Sequence, residues 1–173
     1  MNKEKAHKRK SYEKRVDLAG ENTWGDLGQL ILFIVFIVGI ILDLVFLRVG
    51  QSFGETVPLF LRIIVALPIL IISGYFVQSG LKIVFREERS KLMVIRTGVF
   101  SLVRHPIYLG SILLYLGFII LSMSAIAFGI WMITIVFYVY ISRYEENILI
   151  DKLGEEYEQY MHDVPMFIPK IRR

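Results

Sequence analysis

The sequence predicts an all-α integral membrane protein with about four transmembrane helices, the last two forming a tight hairpin, followed by a cytoplasmic helical extension. Hydrophobic residues make up 55% of the chain, more apolar surface than a soluble domain of 173 residues can bury. Four apolar segments interrupt the charged sequence, and each has close to the length needed to cross a bilayer. The Lys and Arg residues are unevenly divided between the connecting segments. Together these observations predict membrane helices and their orientation.

Residues 1–26 are predicted to form a basic arm that is cytoplasmic or lies at the membrane interface. The arm holds seven Lys and Arg residues, and it is too long and too charged to be a cleaved signal peptide. The chain has no cysteine, which excludes disulfides, thiolate nucleophiles and cysteine metal sites. We expect no metal centre and no nucleic-acid partner.

Residues 27–90 are predicted to contain two transmembrane helices and their connecting loop. The apolar segments 27–47 and 57–77 are each 21 residues long, enough to cross roughly 30 Å of hydrocarbon at 1.5 Å per residue. Asp43 is the one charged residue of the first segment. Because Asp43 lies four residues from the end of this segment, we expect its carboxylate to reach the headgroups.

Residues 91–173 are predicted to form a cofactor-binding loop, a helical hairpin and a catalytic tail. The apolar segments 107–121 and 125–141 have 15 and 17 residues, and only Ser122, Met123 and Ser124 separate them. Gly110 and Gly117 are seven residues apart, a spacing that favours close helix packing.

The distribution of positive charge predicts which side each connection occupies, because cytoplasmic segments carry the excess of Lys and Arg. The arm has seven of these residues, segment 82–104 has six, and the chain from residue 143 onward has five. Residues 48–62 have two, and the turn 122–124 has none. Both termini are therefore predicted to be cytoplasmic, on the same face as segment 82–104.

Two adjacent carboxylates begin the tail, where the last membrane helix is expected to leave the bilayer. Glu145 lies at helical spacing from Leu149 and Leu153, and Glu146 lies at that spacing from Ile150. Each carboxylate therefore heads an apolar stripe, which predicts that both face a protein interior rather than open water.

The stretch RHPIYLG, residues 104–110, predicts an anion-binding helix start on the same face. Pro106 suits the first turn of a helix, and the free backbone N–H groups there favour a carboxylate or a phosphate beside His105. Tyr108 and Gly110 add a hydroxyl group and close backbone approach. A basic, aromatic loop opposite two carboxylates suits a zwitterionic or cationic small molecule.

These motifs resemble the C-terminal half of the isoprenylcysteine carboxyl methyltransferase and phospholipid methyltransferase superfamily. The similarity lies in TGVFSLVRHPIYLG, followed about thirty residues later by YEENILIDKLGEEYEQYMHDVPMFIP. It extends over residues 91–171, whereas residues 1–90 resemble that superfamily only in hydropathy.

The resemblance implies a membrane enzyme that binds S-adenosylmethionine and methylates a lipid or lipid-linked acceptor at the cytoplasmic interface. The residues it implies for cofactor binding are Leu92, Met93, Val94, Ile95, Phe100, Arg104, His105, Pro106, Tyr108, Gly110, Glu145 and Glu146.

Two positions depart from the superfamily pattern. Phe100 stands where relatives often have Tyr, and Ile141 occupies the position of the catalytic Arg of the carboxyl methyltransferases. Catalytic roles are therefore assigned to Arg143 and Glu145, and the acceptor remains open between a thiol, a carboxylate, an amine and a phospholipid.

Two other classes of protein are compatible with the same sequence. One is a related membrane enzyme that binds a nicotinamide dinucleotide in a similar pocket. The other is a membrane scaffold without catalytic activity, whose charged loops only anchor and pair. The sequence does not predict an oligomeric state.

Overall fold

The protein is built of α-helices in a computed structural model that describes residues 23–86 and 92–169. The predicted arm lies almost entirely outside the described residues. Within the described ranges there is no β-strand. The helices are α1 (Thr23–Leu42), α2 (Gln51–Thr56), α3 (Leu59–Arg86), α4 (Pro106–Ser122), α5 (Ala125–Leu153) and α6 (Glu155–Asp163), with a π-helical turn at Asp43–Leu47 and a 3₁₀ turn at Gly98–Ser101.

Three of these helical segments are long and apolar enough to cross a membrane, namely Leu27–Leu47, Leu59–Val84 and Ala125–Leu153. The all-helical membrane architecture predicted from the sequence is confirmed. The fourth predicted span, α4, is apolar but has 17 residues, so it is about 26 Å long. Large apolar side chains such as Phe46 and Val136, 72% and 68% exposed, point outward, as expected of surfaces that face lipid.

The two long helices α3 and α5 extend beyond the predicted apolar segments. Helix α3 continues past residue 77 to Arg86, and α5 continues past the charges of the tail to Leu153. The thickness of the bilayer sets the length of the apolar part of a helix. The helix itself can continue into water, because its backbone hydrogen bonds form within the helix until a residue interrupts them. For α5 that residue is Gly154, which follows the last helical residue with φ of 58°.

Asp43 is buried, so the prediction that its carboxylate reaches the headgroups is wrong. The residue is 2% exposed. Its Oδ2 accepts hydrogen bonds from the Ser124 hydroxyl at 2.6 Å and the Ile126 amide at 3.2 Å, and its Oδ1 accepts one from the Gly50 amide at 3.2 Å. The start of α5 supplies free amide donors for a carboxylate, and this compensates its removal from water. Asp43 thereby joins the end of α1 to the α4–α5 turn.

Replacing Asp43 by Ala is expected to lower the free energy of unfolding by about 3 kcal/mol, since buried donors that lose an acceptor cost about 1–3 kcal/mol each. Asp43→Asn retains one acceptor oxygen and is expected to lose less. Thermal unfolding in detergent measures both variants, with the exposed Asp151→Ala as control. Equal stability of Asp43→Ala and Asp151→Ala would contradict the role of Asp43.

Helices α3 and α4 pack closely along a surface of small residues. An added Cβ at Gly110 would lie 3.0 Å from the Ser73 carbonyl oxygen, and one at Gly117 would collide with Leu70. The Ser73 hydroxyl donates a 2.7 Å hydrogen bond to the Gly110 carbonyl. The close helix packing predicted from these two glycines is therefore present.

Gly110→Ala is expected to destabilise the protein by about 1–3 kcal/mol, because rigid backbone atoms of α3 occupy the space of the new methyl group. Gly129→Ala is the matched control, since nothing lies within 4 Å of an added Cβ there. That control is expected to gain up to about 1 kcal/mol from helix propensity. Denaturation in detergent measures the free energy of unfolding of both variants. If Gly110→Ala and Gly129→Ala changed it in the same direction, the close packing of Gly110 would not explain the effect.

Candidate active site

His105 lies between the start of α4 and the two carboxylates of α5. It is the residue immediately before α4, its side chain makes no capping bond to the helix, and it is 9% exposed. Its Nε2 is 2.9 Å from Oε1 of Glu146, and its Nδ1 is 3.8 Å from Oε2 of Glu145. The structure thus brings together the histidine and the paired carboxylates that the sequence singled out, although 41 residues separate His105 from Glu146.

Arg104 forms a buried ion pair with Glu146. Its Nε lies 2.8 Å from Oε1 of Glu146, and the two side chains are 10% and 4% exposed. This distance is short enough for an ion pair, but the contact does not have the geometry of a hydrogen bond from Nε. The Arg104 Nη1 donates a 2.7 Å hydrogen bond to the Met161 carbonyl in α6. One guanidinium group therefore ties the start of α4 to both α5 and α6.

Tyr108 holds the second carboxylate. Its hydroxyl donates a 2.5 Å hydrogen bond to Oε1 of Glu145. Its ring stacks on His105, with centroids 5.6 Å apart and planes 3° apart, and on Tyr138, with centroids 5.0 Å apart. Three rings are therefore stacked on one another where α4 meets α5.

Residues 164–167 cross the site, and we call this segment the C-terminal strap. The amide of Arg104 donates to the Pro165 carbonyl at 2.9 Å, and the amide of His105 donates to the Met166 carbonyl at 3.3 Å. The Phe167 ring lies 6.0 Å from the His105 ring. The carbonyls of the strap accept hydrogen bonds from the free amides that precede α4. They therefore occupy part of the position where the sequence predicts an anion to bind.

The loop before α4 is fixed to α6 by a separate cluster. Val94 packs with Tyr157, Tyr160 and Val164, all of them buried. The Tyr160 hydroxyl donates a 2.7 Å hydrogen bond to the Phe100 carbonyl. Burial raises the pKa of Tyr157 and Tyr160 well above the usual range, and the nearby charge of Glu146 adds to the effect on Tyr157.

Stability is expected to fall as the pH rises above about 10, because the unfolded chain then loses phenolic protons that the folded chain retains. Each buried tyrosine contributes up to about 1.4 kcal/mol per pH unit there. The double variant Tyr157→Phe/Tyr160→Phe is expected to show a shallower loss between pH 9 and 11 in thermal unfolding. Tyr144→Phe, at an exposed position, is the control. Parallel pH profiles of the wild type and the double variant would contradict this explanation.

The remaining predicted site residues are spread around this centre. Leu92 and Ile95 are half-buried, and Met93 is 54% exposed. Pro106 is buried at the first position of α4, as predicted. The position that a Cβ of Gly110 would occupy lies against α3. Arg143 is exposed on α5.

Three further residues belong to the site and were not singled out from the sequence. Ser142 is fully buried one helical turn before the paired carboxylates, and its Oγ has no hydrogen-bond partner among residues 23–86 and 92–169. Tyr138 and Phe167 supply rings to the aromatic stack. The i−4 and i−3 spacing from Glu146 and Glu145 could have indicated Ser142, whereas Phe167 becomes a neighbour of His105 only through the strap.

The family model for phospholipid methyltransferases matches residues 60–156, more than half of the chain. The chain belongs to the phospholipid methyltransferase family. The resemblance inferred from the motifs is thus confirmed, and membership indicates an enzyme. The matched region includes α4, His105 and both carboxylates, whereas the C-terminal strap lies beyond it.

A methanethiol S-methyltransferase from a Pseudomonas strain is 34% identical to this family member over 82 residues. That alignment covers 42% of the chain and 27% of the relative. The chain thus matches about a quarter of the length of this curated methyltransferase.

Proposed function

We propose that this protein is an S-adenosylmethionine-dependent methyltransferase embedded in the membrane, acting on a lipid or lipid-linked acceptor at the cytoplasmic interface. Both termini and the active site lie on the cytoplasmic side in this proposal. The observation that carries it is the meeting of Glu145, Glu146 and Arg104 around His105, in a chain that belongs to a family of membrane methyltransferases.

The side chains of the site fit the charges of the methyl donor. S-adenosylmethionine carries a sulfonium, an ammonium and a carboxylate group. Two carboxylates face one guanidinium here, so these three groups have a net charge of −1 and favour a cationic ligand. The buried Ser142 hydroxyl, which has no hydrogen-bond partner in the described part of the chain, offers a further polar contact on the same helix face.

Residue roles follow from these charges. Glu145 and Glu146 would hold the ammonium group, while His105 and the nearby amides would hold the carboxylate. The predicted wrapping residues of the loop, Leu92, Met93, Val94, Ile95 and Phe100, would enclose the remainder of the cofactor, with Tyr108 beside it. Without a ligand, Glu145 accepts a hydrogen bond from Tyr108, and the amides before α4 donate to the C-terminal strap. A bound cofactor would replace these contacts with its own.

The protein has a modest chemical task. The sulfonium methyl group of the cofactor is already activated. Positioning the acceptor in line with it and excluding water are the main contributions, and proximity can supply roughly 7–11 kcal/mol. Glu145 and the exposed Arg143 are proposed to orient the acceptor where α5 leaves the membrane, while Arg104 positions Glu146 from inside the protein.

A small thiol is the second candidate acceptor, since the similar Pseudomonas enzyme is named for methanethiol. A lipid acceptor would reach the site from the bilayer, whereas a small thiol could also arrive from water. Methyl transfer from radiolabelled cofactor to membrane lipid extract and to methanethiol, measured in parallel, distinguishes the two.

Binding of radiolabelled S-adenosylmethionine to the full chain, purified in detergent, tests the proposal first. We expect saturable binding that is lost in His105→Ala and weakened in Glu145→Gln, with no competition by NADPH. Saturable NADPH binding in its place would favour the nicotinamide-dependent alternative. No binding of either compound to folded protein would favour the scaffold.

A further inference from the structure

Two buried polar atoms of the candidate active site have no hydrogen-bond partner among the described residues, namely Arg104 Nε and Ser142 Oγ. Buried polar groups are hydrogen-bonded in the large majority of cases, and each exception calls for an explanation. Both atoms here lie near Glu146. Arg104 Nε is 2.8 Å from the carboxylate, and Ser142 is one helical turn before it. The unpaired polar atoms are thus concentrated at one place, which indicates a site for a ligand.

Ser142 does not use the hydrogen bond that other hydroxyl groups of these helices make. Thr134 is also fully buried on α5, and its hydroxyl donates to the Ile130 carbonyl at 2.9 Å. On α4 the Ser111 hydroxyl donates to the Ile107 carbonyl at 3.1 Å. Such a bond to the preceding turn is the common way for a helical hydroxyl to find an acceptor. Ser142 is 0% exposed and makes no such bond, so its removal from water is not compensated within the described chain.

Helix geometry places Ser142 on the side of α5 that faces the site. Ser142 is four residues after Tyr138 and three before Glu145, and residues at these spacings share one face of a helix. The Tyr138 ring stacks on Tyr108 of α4. Glu145 accepts a 2.5 Å hydrogen bond from the same tyrosine. The neighbours of Ser142 in both directions along this face therefore contact the start of α4.

The Ser142 hydroxyl is available to a ligand without rearrangement of the C-terminal strap. The amides of Arg104 and His105 donate to carbonyls of the strap, so a ligand has to displace the strap to bind them. A ligand at Ser142 Oγ breaks no hydrogen bond of the described chain. A guanidinium N–H can only donate and a hydroxyl can donate, so the group that suits both is an acceptor, best an anionic oxygen.

We propose that the Ser142 hydroxyl donates a hydrogen bond to the carboxylate group of S-adenosylmethionine, with Arg104 Nε as a second donor. This inference rests on the proposed function and adds a binding residue on α5 for the anionic group of the cofactor. The Arg104 guanidinium, 2.8 Å from Glu146, offsets the repulsion between that glutamate and the bound carboxylate. Because Ser142 is shielded from water, its hydrogen bond to a charged oxygen is stronger than it would be on the surface.

Calorimetric titration of the full chain in detergent tests the proposal with two ligands. Decarboxylated S-adenosylmethionine keeps the sulfonium and ammonium groups and lacks the carboxylate. In Ser142→Ala the Kd for S-adenosylmethionine is expected to rise at least about tenfold, whereas the Kd for the decarboxylated compound changes by less than about twofold. Thr134→Val is the matched control, since it removes another buried hydroxyl of α5, and its Kd values are expected to stay within about twofold of the wild type.

Thermal unfolding without cofactor separates binding from packing. Ser142→Ala is expected to melt at the same temperature as the wild type or higher, because it removes an uncompensated buried hydroxyl and alanine has the higher helix propensity. A lower melting temperature would show that the hydroxyl stabilises the fold. An equal loss of affinity for both ligands would show that it does not bind the carboxylate. Either result would overturn the inference.

The same titrations distinguish this inference from the proposed function. If the wild type bound S-adenosylmethionine and Ser142→Ala bound it equally well, the role of Ser142 would be wrong and the proposed function would stand. If the folded wild type did not bind S-adenosylmethionine, both would be wrong.

Discussion

Glu145→Gln is expected to weaken S-adenosylmethionine binding by about 10- to 100-fold, since a hydrogen bond to a charged group contributes about 1.5–3 kcal/mol. Gln has nearly the same shape and keeps an oxygen that can accept the Tyr108 hydroxyl, which lies 2.5 Å from Oε1 of Glu145. The local fold should therefore survive while the negative charge is lost. Isothermal titration calorimetry of the purified variant measures the change.

Glu158→Gln is the matched control for this experiment. It removes the same charge from an exposed position on α6 and is expected to leave cofactor affinity within twofold. Tyr108→Phe should give an intermediate loss, because it retains the ring but releases the carboxylate. If Glu145→Gln bound the cofactor as tightly as Glu158→Gln, the assignment of the ammonium group to Glu145 would be wrong.

Arg104→Ala is expected to lower the free energy of unfolding by about 3–5 kcal/mol, the range for removal of one partner of a buried ion pair. The variant leaves Glu146, 4% exposed, without its guanidinium partner. It also leaves the Met161 carbonyl without its donor. Arg104→Lys should recover only part of this loss, because an ammonium group cannot reproduce both contacts in the same geometry.

A double variant separates the ion pair from the rest of the site. In Arg104→Met/Glu146→Gln the buried negative charge is gone, and stability is expected to return to within about 2 kcal/mol of the wild type. Chemical denaturation in mixed micelles can follow all variants, with Arg96→Ala as an exposed control. Equal losses in the single and the double variant would show that packing, rather than the unpaired carboxylate, accounts for the effect.

Much of the architecture follows from local patterns. Hydropathy predicted the membrane helices, and the turn 122–124 predicted the hairpin, in which Met123 adopts φ of 53° and Ser124 caps α5. Helical spacing predicted that Glu145 and Glu146 turn toward protein, and they are 15% and 4% exposed. Each of these properties depends on residues within a few turns of one another.

Asp43 shows where local patterns fail. Its distance from the end of the apolar segment suggested solvation, but the deciding partner, Ser124, is 81 residues away. Arg104 is similar, since its position before α4 is typical of a headgroup anchor, whereas 57 residues separate it from the Met161 carbonyl. Charged residues at membrane boundaries can be solvated or buried, and only the neighbouring segments determine which.

The sequence by itself determined a helical membrane protein, the hairpin turn at residues 122–124, and the motif that joins His105 to the paired carboxylates in one site. Only the tertiary structure decided that Arg104 lies inside the site, that Arg143 faces outward, and that the C-terminal strap crosses His105. Helix formation and bilayer insertion depend on neighbours along the chain. Ion pairs and buried hydrogen bonds depend on distances between segments that the chain separates by tens of residues.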